Sequence, residues 1–312
     1  MINLVTVTYN LERHLSRLQA ESLQNYVEPL RHWIIVNEEK VDVHAWYEYL
    51  KPYYKHNELY ILPRRYLCSD PRINTIRGWS SQQVLKFLIG NIIKDDYILL
   101  DAKNFLIERF DFNFFDNLIG SGFLEFFIEK DDMDTIEPVE FMARPMHTDT
   151  WKPTIEMYAE RLNMTEIPRY FLVPGTPFKV DHKLVSERID LDKYFDDLLI
   201  YDDQGVSKEI ICPSEFLYYS MAINDLIKPG ENTLRVEDRI FNHTLFPENF
   251  DDDQEVIASG HLFNSPESIV NANKDDIRMF GLHRKFLDRC GPQHYREINY
   301  WLSNKGFKFQ FS

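Results

Sequence analysis

An apolar run that ends in an acid and two further polar residues, Leu99-Leu100-Asp101-Ala102-Lys103-Asn104, is the pattern by which an open α/β sheet delivers ligand chemistry to the carboxyl end of a strand. Upstream, Trp79, Gln82, Gln83 and Lys86 stand at i, i+3, i+4 and i+7, one face of a helix. Val84, Leu85, Leu88, Ile89 and Ile92 cover most of the rest of its circumference. A helix apolar nearly all round is buried, so its polar stripe either forms an internal hydrogen-bond network or lines a polar cleft beside Asp101. Glu215 follows Ser214 at a helix start, where the helix dipole alone favours an acid. Beside Tyr218 and Tyr219 its carboxylate also has the surroundings of a general base. His283 follows an apolar strand and precedes Arg284 and Lys285, a place for anion contacts or for plain surface packing.

Composition narrows what these groups act on. With 35 Lys and Arg against 50 Asp and Glu, the net charge of -15 opposes a phosphate-backbone footprint, so nucleic acid is excluded as a partner. There is no GxGxxG or GxxxxGKS to cradle phosphates, no GxSxG elbow and no HExxH. A paired-aspartate phosphatase would want an acid where Lys103 stands. Cys68, Cys212 and Cys290 are odd in number and far apart, which suits a reducing compartment and neither zinc nor a redox pair. The opening MINLVTVTYN lacks a cationic region ahead of its apolar stretch, and no run nears the roughly 18 apolar residues of a membrane span. The expectation is a cytoplasmic protein with no membrane span.

The elements that must position these residues read as alternating strands and helices. Residues 1–8 form a buried strand, with Asn10 capping a helix that carries Leu11, Leu15 and Leu18 on one face. Strands follow at Trp33–Val36, Leu59–Leu62 and Tyr97–Asp101, with helices at Val43–Leu50 and Ser80–Ile93. Further helices are expected at 151–162, 181–189, 214–223, 265–272 and 293–304, with turns at Pro174-Gly175 and Pro229-Gly230. Asp251-Asp252-Asp253 and the acids from Asp190 to Asp203 read as solvated loops. At about 150 residues per domain, 312 residues make two domains or one large α/β unit.

The helix Gly78-Trp79-Ser80-Ser81-Gln82-Gln83-Val84-Leu85-Lys86 leading to Leu99-Leu100-Asp101-Ala102-Lys103-Asn104 resembles a family of GT-A type glycosyltransferases. In that family a GW..QQ..K helix leads to a strand ending LDAD, an Asp-X-Asp signature that holds a divalent metal against a sugar-nucleotide diphosphate. INLVTVTYN with its LSRLQAESL helix, Thr176-Pro177-Phe178, SEFLYY from Ser214 and GLHR from Gly281 are similar to the family's other segments, in order.

The resemblance implies an α/β fold, a GT-A-like mixed sheet flanked by helices. Residues 1–312 would form one unit, 1–110 binding nucleotide and 111–312 completing the donor and acceptor sites. It implies transfer of a sugar from a nucleotide-sugar donor to a glycan or other hydroxyl acceptor. Thr8, Trp79, Gln82, Gln83, Lys86, Asp101, Lys103, Asn104 and Arg284 would contact the donor, and Glu215 would be the general base. Thr176, Asp181 and His182 would meet the acceptor, although Asp181 also suits a helix cap. Asp101, Asn104 and His283 would hold Mn2+ or Mg2+. Lys103 replaces the second acid of Asp-X-Asp, so its ammonium offers a metal-independent way to neutralise the diphosphate. The same departure permits the alternative of a non-catalytic nucleotide- or glycan-binding protein with a degenerate GT-A fold.

Overall fold

The computed structural model describes residues 1–76, 78–120, 123–125, 148–168, 170–172, 176–203, 214–228, 231–233, 241–245 and 277–311. The first half follows a strand–helix rhythm. Strand β1 (Asn3–Thr8) is buried along its whole length and leads into helix α1 (Arg13–Tyr26). Strand β2 (Arg31–Val36), helix α2 (Val43–Leu50) and strand β3 (Glu58–Pro63) follow. Helix α3 (Gly78–Leu88), the single turn α4 (Gly90–Ile93), strand β4 (Tyr97–Leu99) and strand β5 (Asn104–Leu106) complete it.

The rest holds strand β6 (Phe123–Glu125), helix α5 (Thr148–Arg161) and strands β7 (Tyr170–Leu172) and β8 (Phe178–Val180). Then come helices α6 (His182–Arg188), α7 (Leu191–Asp203) and α8 (Glu215–Ala222). Strands β9 (Phe241–Leu245) and β10 (Ile277–Leu282) and helices α9 (Arg284–Leu287) and α10 (Pro292–Asn304) finish the described chain.

The main sheet has the order β3-β2-β1-β4-β8. Its first four strands are parallel, and β8 runs antiparallel to β4. Alternation along the strands separates two cores. Val5, Val7, Ile35, Tyr97 and Leu99 pack with Val84, Leu85 and Phe87 of α3 and with Tyr194, Leu217 and Tyr219. On the other face Leu4 and Ile98 meet Leu23 of α1, while Ile34 and Val36 meet Trp46 and Leu50 of α2. A second sheet, β5-β10-β9, packs Phe105 and Phe280 against Leu15 and Leu18 of α1 and against Ile298, Trp301 and Leu302 of α10. β6 and β7 form an antiparallel pair. Strands from the two halves of the chain are paired directly, β4 with β8 and β5 with β10.

Four expectations need correction. Asn10 does not cap α1: the cap position is Glu12, and the Asn10 amide instead donates to Glu38 and accepts from the Trp46 indole at 2.7 Å. Leu11 is exposed rather than on the buried face. The helix expected over Ser80–Ile93 breaks at Ile89 into α3 and α4. The acids after Asp190 lie within helix α7, which buries Tyr194, Phe195, Leu198 and one of the acids, Asp197. The helix expected at 265–272, both Pro-Gly turns, the Asp251–Asp253 run and Cys212 lie outside the described residues.

Candidate functional site

The order of the main sheet locates a crevice. The chain steps outward from β1 to β2 to β3, then returns to place β4 on the other side of β1. The β1/β4 boundary is therefore a topological switch point, and the crevice beyond the carboxyl ends of those strands is where such sheets bind ligands. Thr8 and Tyr9 lie at one lip, Leu100 and Asp101 at the other.

Asp101 heads a turn that ends at Asn104, whose N–H donates to the Asp101 carbonyl at 2.9 Å. Its carboxylate is gripped at both oxygens, by Lys86 Nζ on Oδ1 at 3.3 Å and by the Lys103 ammonium on Oδ2. Lys86 reaches this point from α3 and meets Glu215 Oε1 at 2.6 Å, the acid at the start of α8. The Lys86 and Glu215 side chains are only 7% and 2% exposed, whereas Asp101 keeps 27%. Gln83 accepts the Glu215 backbone N–H at 2.9 Å, so α3 grips α8 twice. Burial works against the Lys86 charge, but Asp101 and Glu215 together hold its pKa above the ordinary lysine value. Burial would likewise raise Asp101, and Lys103 and Lys86 overcome it, holding the carboxyl well below the usual carboxylate range. Burial pushes Glu215 up against the pull of Lys86.

A second ion pair stands next to this one. Arg284, at the start of α9, lies 4.0 Å from Glu12 and 3.1 Å from Asp288. Burial raises the Glu12 carboxyl; Arg284 pulls it back, Asp101 adds to the rise and Lys103 opposes it. Three carboxylates, Glu12, Asp101 and Glu215, thus face three cations, Lys86, Lys103 and Arg284. The Lys103 turn is tied to β10 because the Leu282 N–H donates to the Lys103 carbonyl at 2.9 Å.

On the β1 lip, Tyr9 donates to the Gly78 carbonyl and accepts from Asn37 Nδ2 at 3.0 Å. The Gln82 side chain also hydrogen-bonds this phenol, whose pKa burial pushes up to about 12. Position 78 needs glycine because a Cβ there would lie 2.9 Å from the Tyr9 hydroxyl. Asn37 donates further to Ser81 Oγ at 2.7 Å. The first turn of α3 is thereby fixed to the ends of β1 and β2.

The sequence-derived candidates divide by place. Gln82, Lys86, Asp101, Lys103, Asn104 and Arg284 gather at the crevice. Thr176 joins them, accepting from the Asp101 N–H at 3.4 Å and donating to Asn104 Oδ1 at 2.9 Å. Gln83 is buried and braces α8. Trp79 is 45% exposed on the first turn of α3. Thr8 points into the core, where its hydroxyl meets Ser16 at 3.3 Å. Asp181 and His182 sit at the other end of the sheet: Asp181 caps α6, and the His182 N–H donates to Asp96, ahead of β4. With about 3.3 Å per strand residue, that end is roughly 13 Å from the Asp101 end. Glu215 departs from the general-base expectation in surroundings, since its carboxylate is enclosed and engaged by Lys86 instead of facing an open pocket.

The residues present do not suit a divalent cation. Asp101 is held by two ammoniums, Asn104 Oδ1 accepts from Thr176, and His283 Nδ1 accepts from the Lys285 N–H at 3.2 Å. Among the described residues no group of three or more His, Cys, Asp and Glu is placed to hold a metal. Nor is any helix among them long and apolar enough to cross a membrane.

Glu12 and Gln19 were not singled out by sequence. Glu12 follows a strand end, the same signal that marked Asp101. Gln19 sits among Leu15, Leu18, Ser22 and Leu23 on the buried stripe of α1, where a polar residue must have partners.

No curated protein sequence matches the chain. Solved structures to which the chain is similar include two glycosyltransferases. Mouse xyloside xylosyltransferase 1 in its apo form is 12% identical, with a TM-score of 0.46 over 90% of this chain and 97% of that one. The galactosyltransferase LgtC in complex with donor and acceptor sugar analogues is 13% identical, with a TM-score of 0.44 over 93% of this chain and 88% of that one. Residues 7–185 match the model of DUF6492, a family of unknown function. The match spans more than half of the 312 residues, and the chain belongs to that family.

Proposed function

We propose that the chain is a GT-A-like glycosyltransferase that moves a sugar from a nucleotide-sugar donor to a hydroxyl acceptor. The observation that carries this reading is the gathering of Lys103, Lys86 and Arg284, each paired with a carboxylate, at the β1/β4 switch point, where an α/β sheet receives a nucleotide. In the transfer step the acceptor oxygen bonds to the anomeric carbon, the bond from that carbon to the diphosphate oxygen breaks, its electron pair stays on the diphosphate, and the acceptor hydroxyl's proton passes to the departing diphosphate. That developing charge must be neutralised. Lys103 and Arg284, each partly exposed, are the groups to do it. Among the described residues Asp101, which orients Lys103, has too few companion ligands for a hard cation. Metal-independent neutralisation by ammonium and guanidinium is therefore the reading adopted.

Gln82 and Trp79 at the rim of α3 and Thr176 beside Asp101 are assigned to ligand contact. Glu215 is assigned to holding Lys86. The free thiols of Cys68 and Cys290 accord with a cytoplasmic setting.

The test is thermal shift with uridine and guanosine diphosphates, each in chelator and in manganese. A ligand bound only by the folded state at 100 times its Kd adds about 2.7 kcal/mol. No shift with either nucleotide would refute the reading. A shift without any donor turnover, measured as release of free sugar, would make the chain the non-catalytic binder that the Lys103 departure allows.

A further inference from the structure

A chain of buried polar groups runs beneath the main sheet and ends on the Lys103 turn. Gln19 of α1, Thr6 of β1 and His32 of β2 are each fully buried. Gln19 Nε2 donates to the Asp101 carbonyl at 2.9 Å and to the Asn104 carbonyl at 2.8 Å. Both acceptors are carbonyls, so the amide can point only one way, with Oε1 toward Thr6. The Thr6 hydroxyl donates to that Oε1 at 2.9 Å. Having spent its proton, Thr6 Oγ1 must accept from His32 Nε2 at 3.0 Å, and His32 Nδ1 then accepts from the Tyr54 hydroxyl at 2.6 Å. Two carbonyls of the turn thus dictate every proton along the chain, and His32 is the neutral Nε2–H tautomer. Burial agrees, pushing the His32 pKa down to about 3.

We propose that Gln19 is a positioning residue for the site: its amide, oriented by Thr6, His32 and Tyr54, clamps both ends of the Asp101–Asn104 turn and so fixes where the Lys103 ammonium stands. This deepens the proposed function, because Lys103 is the group assigned to the diphosphate. Thr176 bridges the ends of the turn through the Asp101 N–H and Asn104 Oδ1, and Gln19 bridges them through their carbonyls. Asn104 N–H closes it onto Asp101, and Leu282 N–H ties its middle to β10. A side chain that donates twice across the gap holds the carbonyls at a set spacing.

Hydrogen exchange read by mass spectrometry tests this without any ligand. In Gln19→Met the size is kept and both donors are lost. Peptides covering Asn104 and Leu282 should exchange roughly 10- to 100-fold faster, while the β2 peptide covering 31–36 stays protected. Thr6→Val keeps both Gln19 donors but removes the bond that orients the amide, along with the acceptor of the His32 Nε2–H, and should loosen the same peptides by a smaller factor. Ile34→Val, a cavity on the same face of the sheet, is the control for general destabilisation and should show no such localisation. Uridine diphosphate affinity should fall at least about tenfold in Gln19→Met. Unchanged protection at Asn104 and Leu282, or acceleration spread evenly over β1 and β2, would overturn the proposal. So would a loosened turn with unaltered affinity. If the wild-type chain binds no nucleoside diphosphate, the proposed function fails, and the exchange data still decide whether Gln19 holds the turn.

Discussion

The Lys86–Glu215 pair makes a quantitative demand. Its side chains are 7% and 2% exposed and meet at 2.6 Å, so Glu215 depends on Lys86 for its compensating charge, whereas Lys86 also has Asp101 at 3.3 Å. Exposed pairs such as Arg31–Glu58 have water to fall back on. Lys86→Met keeps most of the stem's volume and leaves Glu215 as a buried carboxylate with no cation, which should cost about 3–5 kcal/mol at pH 7. Glu215→Gln keeps an oxygen on the ammonium but removes the opposing charge, and Lys86 retains Asp101 at 3.3 Å, so about 1.5–3 kcal/mol is expected. Lys86→Met with Glu215→Gln leaves no uncompensated charge at the pair, and Asp101 keeps Lys103. The double variant should therefore be more stable than Lys86→Met alone, with a coupling energy of about 3 kcal/mol.

Urea titrations of the four proteins, followed by the fluorescence of the five tryptophans and compared at equal slope m, measure this cycle. A second reading comes from pH. Burial raises the Glu215 carboxyl, and with Lys86 gone nothing opposes the rise. A raised acid is tolerated when protonated and costs stability as pH climbs through its folded pKa, so the Lys86→Met deficit should shrink from pH 8 to pH 5. Additive single effects, within about 0.5 kcal/mol, would refute a coupled buried pair.

Lys103→Ala should weaken uridine or guanosine diphosphate binding by roughly 10- to 150-fold, the worth of one charge-assisted hydrogen bond. Lys103→Asp should bind appreciably only with added manganese. Calorimetric titration in chelator and then in manganese decides it, and an Ala variant that binds like wild type would make Lys103 a bystander. For His32, a folded pKa near 3 against an ordinary 6.5 means the unfolded chain takes up the proton first. That contribution is whole above pH 6.5 and is lost as pH falls, at up to about 1.4 kcal/mol per unit. Urea midpoints should show this slope between pH 6 and 4.5 in wild type and a flatter one in His32→Gln; equal slopes would mean His32 is not the buried neutral group.

The sequence carried the strand–helix rhythm because the apolar periods of β1, β2, α2 and α3 are clean and local. It carried Asp101 because strand ends have a recognisable form. The Gln82, Gln83 and Lys86 stripe was legible as polar groups on a buried helix, but their different fates depend on neighbours more than a hundred residues away: Gln83 and Lys86 both meet Glu215. Glu215 read equally well as a helix-start acid and as a base, and its enclosure beside Lys86 was not legible in its own segment. Helix α7 was hidden by its acids, since counting charge ignored Tyr194 and Leu198 one turn apart. Gln19 was hidden by a focus on charged groups, though its place among leucines was the signal.

The stitching of the Lys103 turn to β10 also sets an order in time. The Lys103 carbonyl finds its partner only when Leu282 exists. Helix α1, which carries Gln19, is itself gripped from beyond residue 300: Tyr26 donates to the Lys305 carbonyl, and the Lys308 N–H donates to Glu21 at 2.6 Å. On a ribosome adding roughly 5–20 residues per second, the intervening 175 or so residues take on the order of ten seconds or more. During that interval the nascent chain displays the crevice without its final brace. A chain arrested before residue 277 would therefore lack the bond that ties the Lys103 turn to β10.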